Sequence, residues 1–327
     1  MAAPAYDYDG HRTINQLALS CLPKDYPAFV REAAVAERIV FLSGEPDRWR
    51  NSPDNTLKHW NAPDHYIDLD DLAPLGFVEN KLPPFRHLFT MELANAHRKH
   101  PQALPSIDSS RNADHTRELI GFLPWSIAEH FSQLKSAFSS LKAYEEGGTD
   151  GEISNSRQNV AYYMGVLGHY VGDAAQPLHT TRHFNGWVGA NPKSYSVSAG
   201  FHSWVDGGYL AKVPLKPDAL RPRLRVARLL RSEERAIVEP SIFMESMAFI
   251  HDQHQLVVPL YQLDKDGKLT PDLPQGREGL AFFEKQFVTA SQMLADLWFT
   301  AWREAPVDTY LRSSLARRKL AQPRSSS

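Results

Sequence analysis

Apolar residues recur at helical spacing along much of this chain. Residues 13 to 43 carry the pattern on either side of Pro23 and Pro27, which predicts two helices around a turn. The pattern returns over residues 85 to 98, directly after two consecutive prolines. We therefore expect short helices in the first third of the chain.

The strongest helical patterns lie in the middle of the chain and near its end. A stripe of core-facing apolar residues follows Pro124, a residue suited to a first helical turn: Ile127, Phe131, Leu134, Phe138 and Leu141. A loop at 145–151 separates this stripe from a second helix at 153–173, and the pair predicts a helical hairpin. Another long helix is indicated by Phe283, Phe287, Ala290, Leu294, Leu297 and Ala301. Because no region shows sustained strand alternation, the predicted fold class is mainly α.

The organisation of the chain favours one multi-helix bundle with long ordered loops. Residues 44 to 85 are rich in Pro, Asp and Asn, and their aromatic residues favour an ordered loop region. The stretch 212–231 is the best candidate for a domain boundary, but every candidate ligand precedes it. We therefore expect a single domain over residues 6–312 and a polar, flexible tail over residues 313–327.

Composition restricts the chemistry more than the fold. The chain has 327 residues, 42% of them apolar, a net charge of -2 and a pI near 6.7, so any nucleic-acid ligand must be held by a local site. The single cysteine, Cys21, excludes an intramolecular disulfide and thiolate-rich zinc sites. His, Asp and Glu remain as metal ligands. No apolar stretch is long enough for a membrane span.

Two motifs combine metal-ligand residues at helical spacing. His169 and Asp173 lie at i and i+4, so a helix places both on one face, and His202 and Asp206 repeat that spacing. Pro177 ends the first helix and turns His179 towards the same place. A single His–Asp pair one turn apart is commonly structural, but its repetition predicts a metal site.

Further candidate ligands precede these motifs. Asp47 lies in the segment Gly44–Arg50, His65 lies in the segment Asp64–Asp68, and His11 follows Gly10. Histidine nitrogens and carboxylate oxygens are the mixture that suits zinc. The number of ligands is sufficient for more than one ion.

These ordered motifs, over about residues 6 to 206, resemble the zinc-dependent phospholipase C and single-strand-specific nuclease superfamily. Its fungal and plant nucleases are all-α enzymes that hold three zinc ions in one cleft. The resemblance implies a first zinc held by Asp47, His65, His169 and Asp173, and a second zinc held by His179, His202 and Asp206. It implies a third zinc held by His11, by Asp173 as a bridge, and by the backbone of the mature N-terminal residue.

The resemblance also bears on the start of the chain. In the nuclease branch the N-terminal residue is a tryptophan five positions before its histidine, and the same count back from His11 gives Tyr6. Tyr6 follows Ala3-Pro4-Ala5, a small-x-small sequence typical of a signal-peptidase site. We therefore expect residues 1–5 to be a leader remnant and the protein to be secreted or periplasmic. An uncleaved leader would replace the free amine that the third zinc needs with an amide.

The function implied is hydrolysis of phosphodiester bonds in single-stranded DNA, RNA or nucleotides, by a metal-activated hydroxide that attacks phosphorus in line. Asp47 would orient the hydroxide and Arg50 would contact the phosphate, although a surface ion pair is the alternative role for Arg50. Tyr66 would stack on a base, or else pack in the core. Asn185 and Trp187 would line the cleft, and packing is the alternative role for Trp187.

Two other functions are compatible with the same sequence. A phospholipase C acting on phospholipid head groups would use the same ligands, but the spacing from Tyr6 to His11 and the pair Asp47 and Arg50 favour the nuclease branch. A zinc-stabilised helical binding module without catalysis is the second alternative. No protein partner is implied.

Overall fold

The computed structural model describes residues 8–104, 107–230 and 241–321. Tyr6 and the expected leader remnant, residues 1–5, lie outside this part of the chain. Helices make up 67% of the structure, and the described residues contain no strand, which confirms the mainly α class. An isolated bridge joins Ile67 to Gly121.

Fourteen α-helices are present in the described ranges. In chain order they are α1 (Tyr8–Ser20), α2 (Ala33–Leu42), α3 (Glu45–Arg50), α4 (Asn55–Asn61), α5 (Arg86–Lys99), α6 (Leu123–Gly147), α7 (Asp150–Ala175), α8 (Phe201–Ser203), α9 (Tyr209–Lys212), α10 (Pro217–Leu220), α11 (Ser241–His254), α12 (Val257–Lys265), α13 (Leu280–Glu304) and α14 (Thr309–Ala321). Short 3-10 helices lie at Ala28–Arg31, Ala62–His65, Leu69–Asp71, Glu79–Lys81, Ser109–Arg111, Pro177–Thr180 and Arg221–Arg223. A π-helical turn, Trp204–Gly208, joins α8 to α9.

The central unit is the helical hairpin of α6 and α7. Pro124 occupies the first turn of α6, and Thr149 caps α7 in a reciprocal capping box with Glu152. The long helix α13 packs against both, and its Trp298 donates a hydrogen bond to the backbone oxygen of Met164, 3.1 Å away. The predicted hairpin and the predicted C-terminal long helix are thus confirmed.

Helix α1 lies unusually close to α7 because two glycines of α7 face it. A Cβ atom on Gly168 would overlap the side-chain oxygen of Asn15, and one on Gly172 would lie 2.5 Å from Nδ1 of His11. Asn15 uses the space to donate hydrogen bonds to the backbone oxygens of Ile39 and Gly165. These contacts fix α1, and with it His11, against the last turns of α7.

Two sequence-based expectations differ from the structure. Residues 44–85 were expected to be an ordered loop region but include the helices α3 and α4. Asp54 stabilises the start of α4, because its side chain accepts hydrogen bonds from the backbone of the first turn. Residues 313–321 of the expected flexible tail belong to α14, which is held on the hairpin by buried Leu315 and by the ion pair between Arg318 and Glu152.

The hydrophobic core is one cluster of buried side chains that runs from Ile14 in α1 to Ala305 after α13. None of the described helices combines the length and apolar content needed to cross a membrane.

Candidate metal centre

The deepest part of the centre is a group that we call the inner cluster: His65, His169 and Asp173. His169 and Asp173 lie one turn apart in α7, and His65 ends the 3-10 helix Ala62–His65. Oδ2 of Asp173 lies 2.9 Å from Nδ1 of His65 and 3.2 Å from Nε2 of His169. The two imidazole nitrogens are 2.9 Å apart, and all three side chains are buried.

The second nitrogen of each inner histidine is held by a polar partner. Nδ1 of His169 lies 2.7 Å from the backbone oxygen of Ser43, and Nε2 of His65 lies 3.0 Å from the side-chain oxygen of Asn61. Because each of these nitrogens donates its hydrogen outward, the opposite nitrogen presents a lone pair to the cluster. Asn61 is itself fixed by a hydrogen bond to the hydroxyl of Tyr170.

Two further ligand candidates adjoin the inner cluster. Oδ1 of Asp47, in α3, lies 3.9 Å from both His65 Nδ1 and His169 Nε2. The ring of His11 stacks on the ring of His169, with 4.0 Å between centroids, and its Nε2 lies 3.4 Å from Oδ1 of Asp173. Nδ1 of His11 is buried and makes no hydrogen bond within the described structure.

A second group, which we call the outer triad, consists of His179, His202 and Asp206. Nε2 of His202 lies 2.7 Å from Oδ2 of Asp206 and 3.1 Å from Nε2 of His179. His202 belongs to α8 and Asp206 to the π-helical turn, so the regular α-helix predicted for this pair is interrupted. Such turns are frequent at functional sites.

Polar partners also fix the outer triad. Nδ1 of His179 lies 2.7 Å from the backbone oxygen of His65, which directs Nε2 of His179 to the triad. Gln176 donates a 2.6 Å hydrogen bond to Oδ1 of Asp206. The side chains of His202 and Asp206 remain 22% and 24% exposed, so solvent reaches this group.

Asp173 joins the two groups through its two oxygens. Oδ2 contacts the inner histidines, whereas Oδ1 lies 3.4 Å from Nε2 of His11. Oδ1 also lies 3.6 Å from Nδ1 of His179, the nitrogen that faces away from the outer triad. A carboxylate with histidines on both oxygens has the arrangement of a bridging ligand. The eight described ligand candidates therefore form one continuous centre.

Burial and neighbouring charges lower the pKa of some residues of the centre and raise the pKa of others. Burial and the charge of Arg50 lower the pKa of His65 to about 3. Burial also opposes the protonation of His179, but Asp173 and Asp206 outweigh it and raise the pKa of His179 to about 9. Although burial alone would raise the pKa of Asp173, the neighbouring His169 and His179 hold it well below its ordinary value.

The donor set fits a divalent cation that prefers nitrogen and oxygen. Three groups have ligand atoms within 4.8 Å of one another: His11, Asp47 and His169; His65, His169 and Asp173; and His179, His202 and Asp206. Ligands at about 2.0–2.1 Å around a tetrahedral zinc ion lie roughly 3.3 Å apart, which is close to the spacings above. These buried His and Asp clusters could therefore hold metal.

The four residues expected to contact substrate lie in different surroundings. Nη2 of Arg50 lies 2.7 Å from Oδ1 of Asp47, and the side chain is 35% exposed, so it borders the centre. Half-buried Tyr66 donates a hydrogen bond to the backbone oxygen of Leu119. Asn185 is exposed. Trp187 stacks on His183, with 4.2 Å between centroids, and packs among buried aromatic residues.

The sequence motifs alone did not identify Asn61 or Ser43 as supports of the centre. Asn61 lies four residues before His65, and that spacing in a helical segment was the available signal. Ser43 contributes only a backbone oxygen, so no side-chain pattern marks it. Gln176 lies between Asp173 and His179 in the sequence, but its contact with Asp206 was not predicted.

Comparison with known proteins found no match to a protein-family model, to a curated protein or to a solved structure. Functional inference for this chain therefore depends on its residues and their geometry.

Proposed function

We propose that this protein is a zinc-dependent phosphoesterase that hydrolyses phosphodiester bonds of single-stranded nucleic acid, as a nuclease or 3'-nucleotidase. The proposal includes the all-α fold of the phospholipase C and nuclease superfamily. The observation that carries it is the position of Asp173, whose Oδ2 faces His65 and His169 while its Oδ1 lies 3.4 Å from Nε2 of His11. Closely spaced divalent ions bridged by a carboxylate are typical of phosphoryl-transfer sites.

We assign a set of ligands among the described residues to each proposed zinc ion. His65, His169, Asp173 and Asp47 would hold one zinc ion, and the outer triad would hold another. His11 and Asp173 would contribute to a third ion, whose remaining ligands would come from a free N-terminus at Tyr6 after secretion. Bound zinc would supply a nucleophilic water near neutral pH and stabilise negative charge at the phosphate.

Two residues at the edge of the centre would act on the substrate. Arg50 would bind a phosphate oxygen, because its guanidinium is partly exposed and is held beside the ligands by Asp47. Asp47, with a side chain 19% exposed, would accept a hydrogen bond from the attacking water and so orient it. Tyr66 would stack on a nucleobase, and Asn185 and Trp187 would border the cleft.

Metal analysis combined with paired activity assays tests this proposal. We expect at least two zinc ions per chain by mass spectrometry, and release of nucleotides from single-stranded DNA or RNA that chelation abolishes and zinc restores. Fewer than two bound ions, or no phosphoesterase activity after zinc is restored, would instead support a zinc-stabilised binding module.

A phospholipase C is the second candidate, and one observation favours it. Phe85, Leu88 and Met91 are exposed at one end of α5 and its last turn carries His97, Arg98 and Lys99. Helices that contact membrane surfaces typically carry both exposed apolar residues and basic residues. Release of phosphocholine from phosphatidylcholine without nucleotide release from nucleic acid would favour this candidate over the nuclease.

A further inference from the structure

A pair of tryptophans lies beside the metal centre and has no role in the chemistry described above. The rings of Trp49 and Trp60 are 5.8 Å apart and inclined at 40°. Trp49 is partly buried and packs against the hydrophobic core, whereas Trp60 is 53% exposed. One ring therefore supports the other, and the outer ring keeps much of its surface open to solvent.

The helices that carry the two rings also carry parts of the centre. Trp49 lies in α3 between Asp47 and Arg50. Trp60 lies in α4 directly before Asn61, whose side chain holds His65. The ring pair is thus anchored to the elements that position a metal ligand, the proposed phosphate contact and a support of the inner cluster.

The surroundings of Trp60 favour a flat ligand over an extended apolar surface. Helix α4 is otherwise polar where it is exposed: Asn55 and Thr56 lie in its first turn and His59 precedes the ring. Asp54 caps its start with a negative charge, and Lys58 adds a positive charge in its last turn. A membrane-binding surface needs a larger apolar patch with basic residues around it. A single supported indole ring is instead suited to stacking against a nucleobase, which every base permits through its π-face.

We propose that Trp60, supported by Trp49, is a stacking subsite for a nucleobase of a single-stranded nucleic acid bound across the metal centre. This inference rests on the proposed function and adds a base position to that of Tyr66. A strand whose phosphate contacts Arg50 would continue over α3 and α4 and place a neighbouring base on the Trp60 ring. An oligonucleotide would therefore contact the subsite, whereas a mononucleotide, which has no neighbouring base, would not.

Substitution of Trp60 tests the subsite directly. In Trp60→Ala we expect the KM for a ten-residue oligothymidylate to rise about tenfold or more, since loss of one base stack weakens binding by that order. The kcat, and the kcat/KM for a 3'-mononucleotide, should be unchanged because the reacting atoms are untouched. Trp60→Phe should restore most of the loss, and Tyr310→Ala, at a ring that is 81% exposed in α14, is the matched control.

A binding measurement separates this inference from the proposed function. The dissociation constant for a fluorescent phosphorothioate oligothymidylate, which resists hydrolysis, is measured by anisotropy for the wild type and Trp60→Ala. Weaker binding by the variant supports the subsite even if the wild type cleaves no nucleic acid, an outcome that contradicts only the proposed function. Equal dissociation constants, or a defect of Trp60→Ala confined to phosphatidylcholine vesicles, overturn the subsite.

Discussion

The inner cluster and the outer triad use the same residue types but differ in how they are built. The side chains of His169, His65 and Asp173 are at most 3% exposed, and the long helix α7 carries two of them. Those of His202 and Asp206 are 22% and 24% exposed and belong to a short helix and a π-helical turn. In the proposed enzyme the buried group would fix metal, whereas the more exposed group would leave room for substrate, as catalytic sites require.

The largest expected effect distinguishes the shared ligand from a ligand of one group. Asp173→Asn should lower metal content by more than one ion. It should also lower phosphoesterase activity by more than the roughly 10–100-fold expected of a change outside the ligand shell. Asp206→Asn should lower metal content by about one ion and leave metal at the inner cluster, because His179 and His202 are the candidate ligands that Asp206 contacts. Mass spectrometry of the intact protein measures both contents. Equal metal loss in the two variants would contradict the bridging role of Asp173.

The supports of the two groups should have smaller effects than the ligands. Asn61→Ala removes the acceptor that fixes His65, and Gln176→Ala removes the donor that fixes Asp206. We expect about a 10–100-fold loss of metal affinity in each case, confined to the group that was supported. Competition with a chromophoric chelator measures the affinities. A loss shared equally by both groups would show that they do not bind metal separately.

Protonation should weaken metal binding by the outer triad at higher pH values than it weakens metal binding by His65. The raised pKa of His179, about 9, means that a proton competes with metal for this residue below pH 9. The apparent zinc affinity of the outer triad should therefore increase with pH up to about 9, by at most tenfold per unit. His65, with a pKa of about 3, should add no such dependence at neutral pH.

Zinc titrations of the wild type and Asp206→Asn between pH 6 and pH 9 measure this difference. A wild-type affinity that does not change over that range would contradict the assignment of the competing proton to His179. In the metal-free protein the sign is reversed: protonated His179 stabilises the fold below about pH 6.5, and this contribution is lost as pH rises through about 9.

The smallest effect concerns the approach of α1 to the inner cluster. Gly168→Ala should lower the free energy of unfolding by about 1–3 kcal/mol, because its Cβ would overlap Asn15 and force α1 away. Gly151→Ala is the control in the same helix, since its Cβ would meet nothing closer than 4.0 Å. It should be neutral or stabilise by about 0.5–1 kcal/mol. Urea unfolding compares the two, and equal effects would contradict the role of the close approach.

Periodicity predicted the long helices because their apolar stripes also form the core. The stripe from Ile127 to Leu141 is buried in α6, and the stripe from Phe283 to Ala301 is buried in α13. Helix α14 was not predicted, since Leu315 is its only residue that the structure buries. Its contacts are with residues far away in sequence, such as Glu146 and Glu152. A local pattern cannot contain that information.

The candidate ligands of the centre could be recognised from the sequence, whereas the residues that support them could not. His169, Asp173, His202 and Asp206 have a fixed spacing that points to shared chemistry, and the structure places them in one centre. The role of Gly168 depends on a residue of α1, and that of Ser43 on a backbone atom. Such contacts arise only when distant segments pack, so they could not be read from either segment alone.

The position of the centre also has a topological consequence. His65 and Asp173 are 108 residues apart in the chain, yet their side chains lie 2.9 Å from each other. An ion held by both would act as a reversible cross-link that closes a large loop, and closing a long loop removes much of the freedom of the unfolded chain. Chelation would then resemble the reduction of a disulfide: it would release α3, α4 and the segment before α5 to proteases while the α6 and α7 hairpin stayed intact.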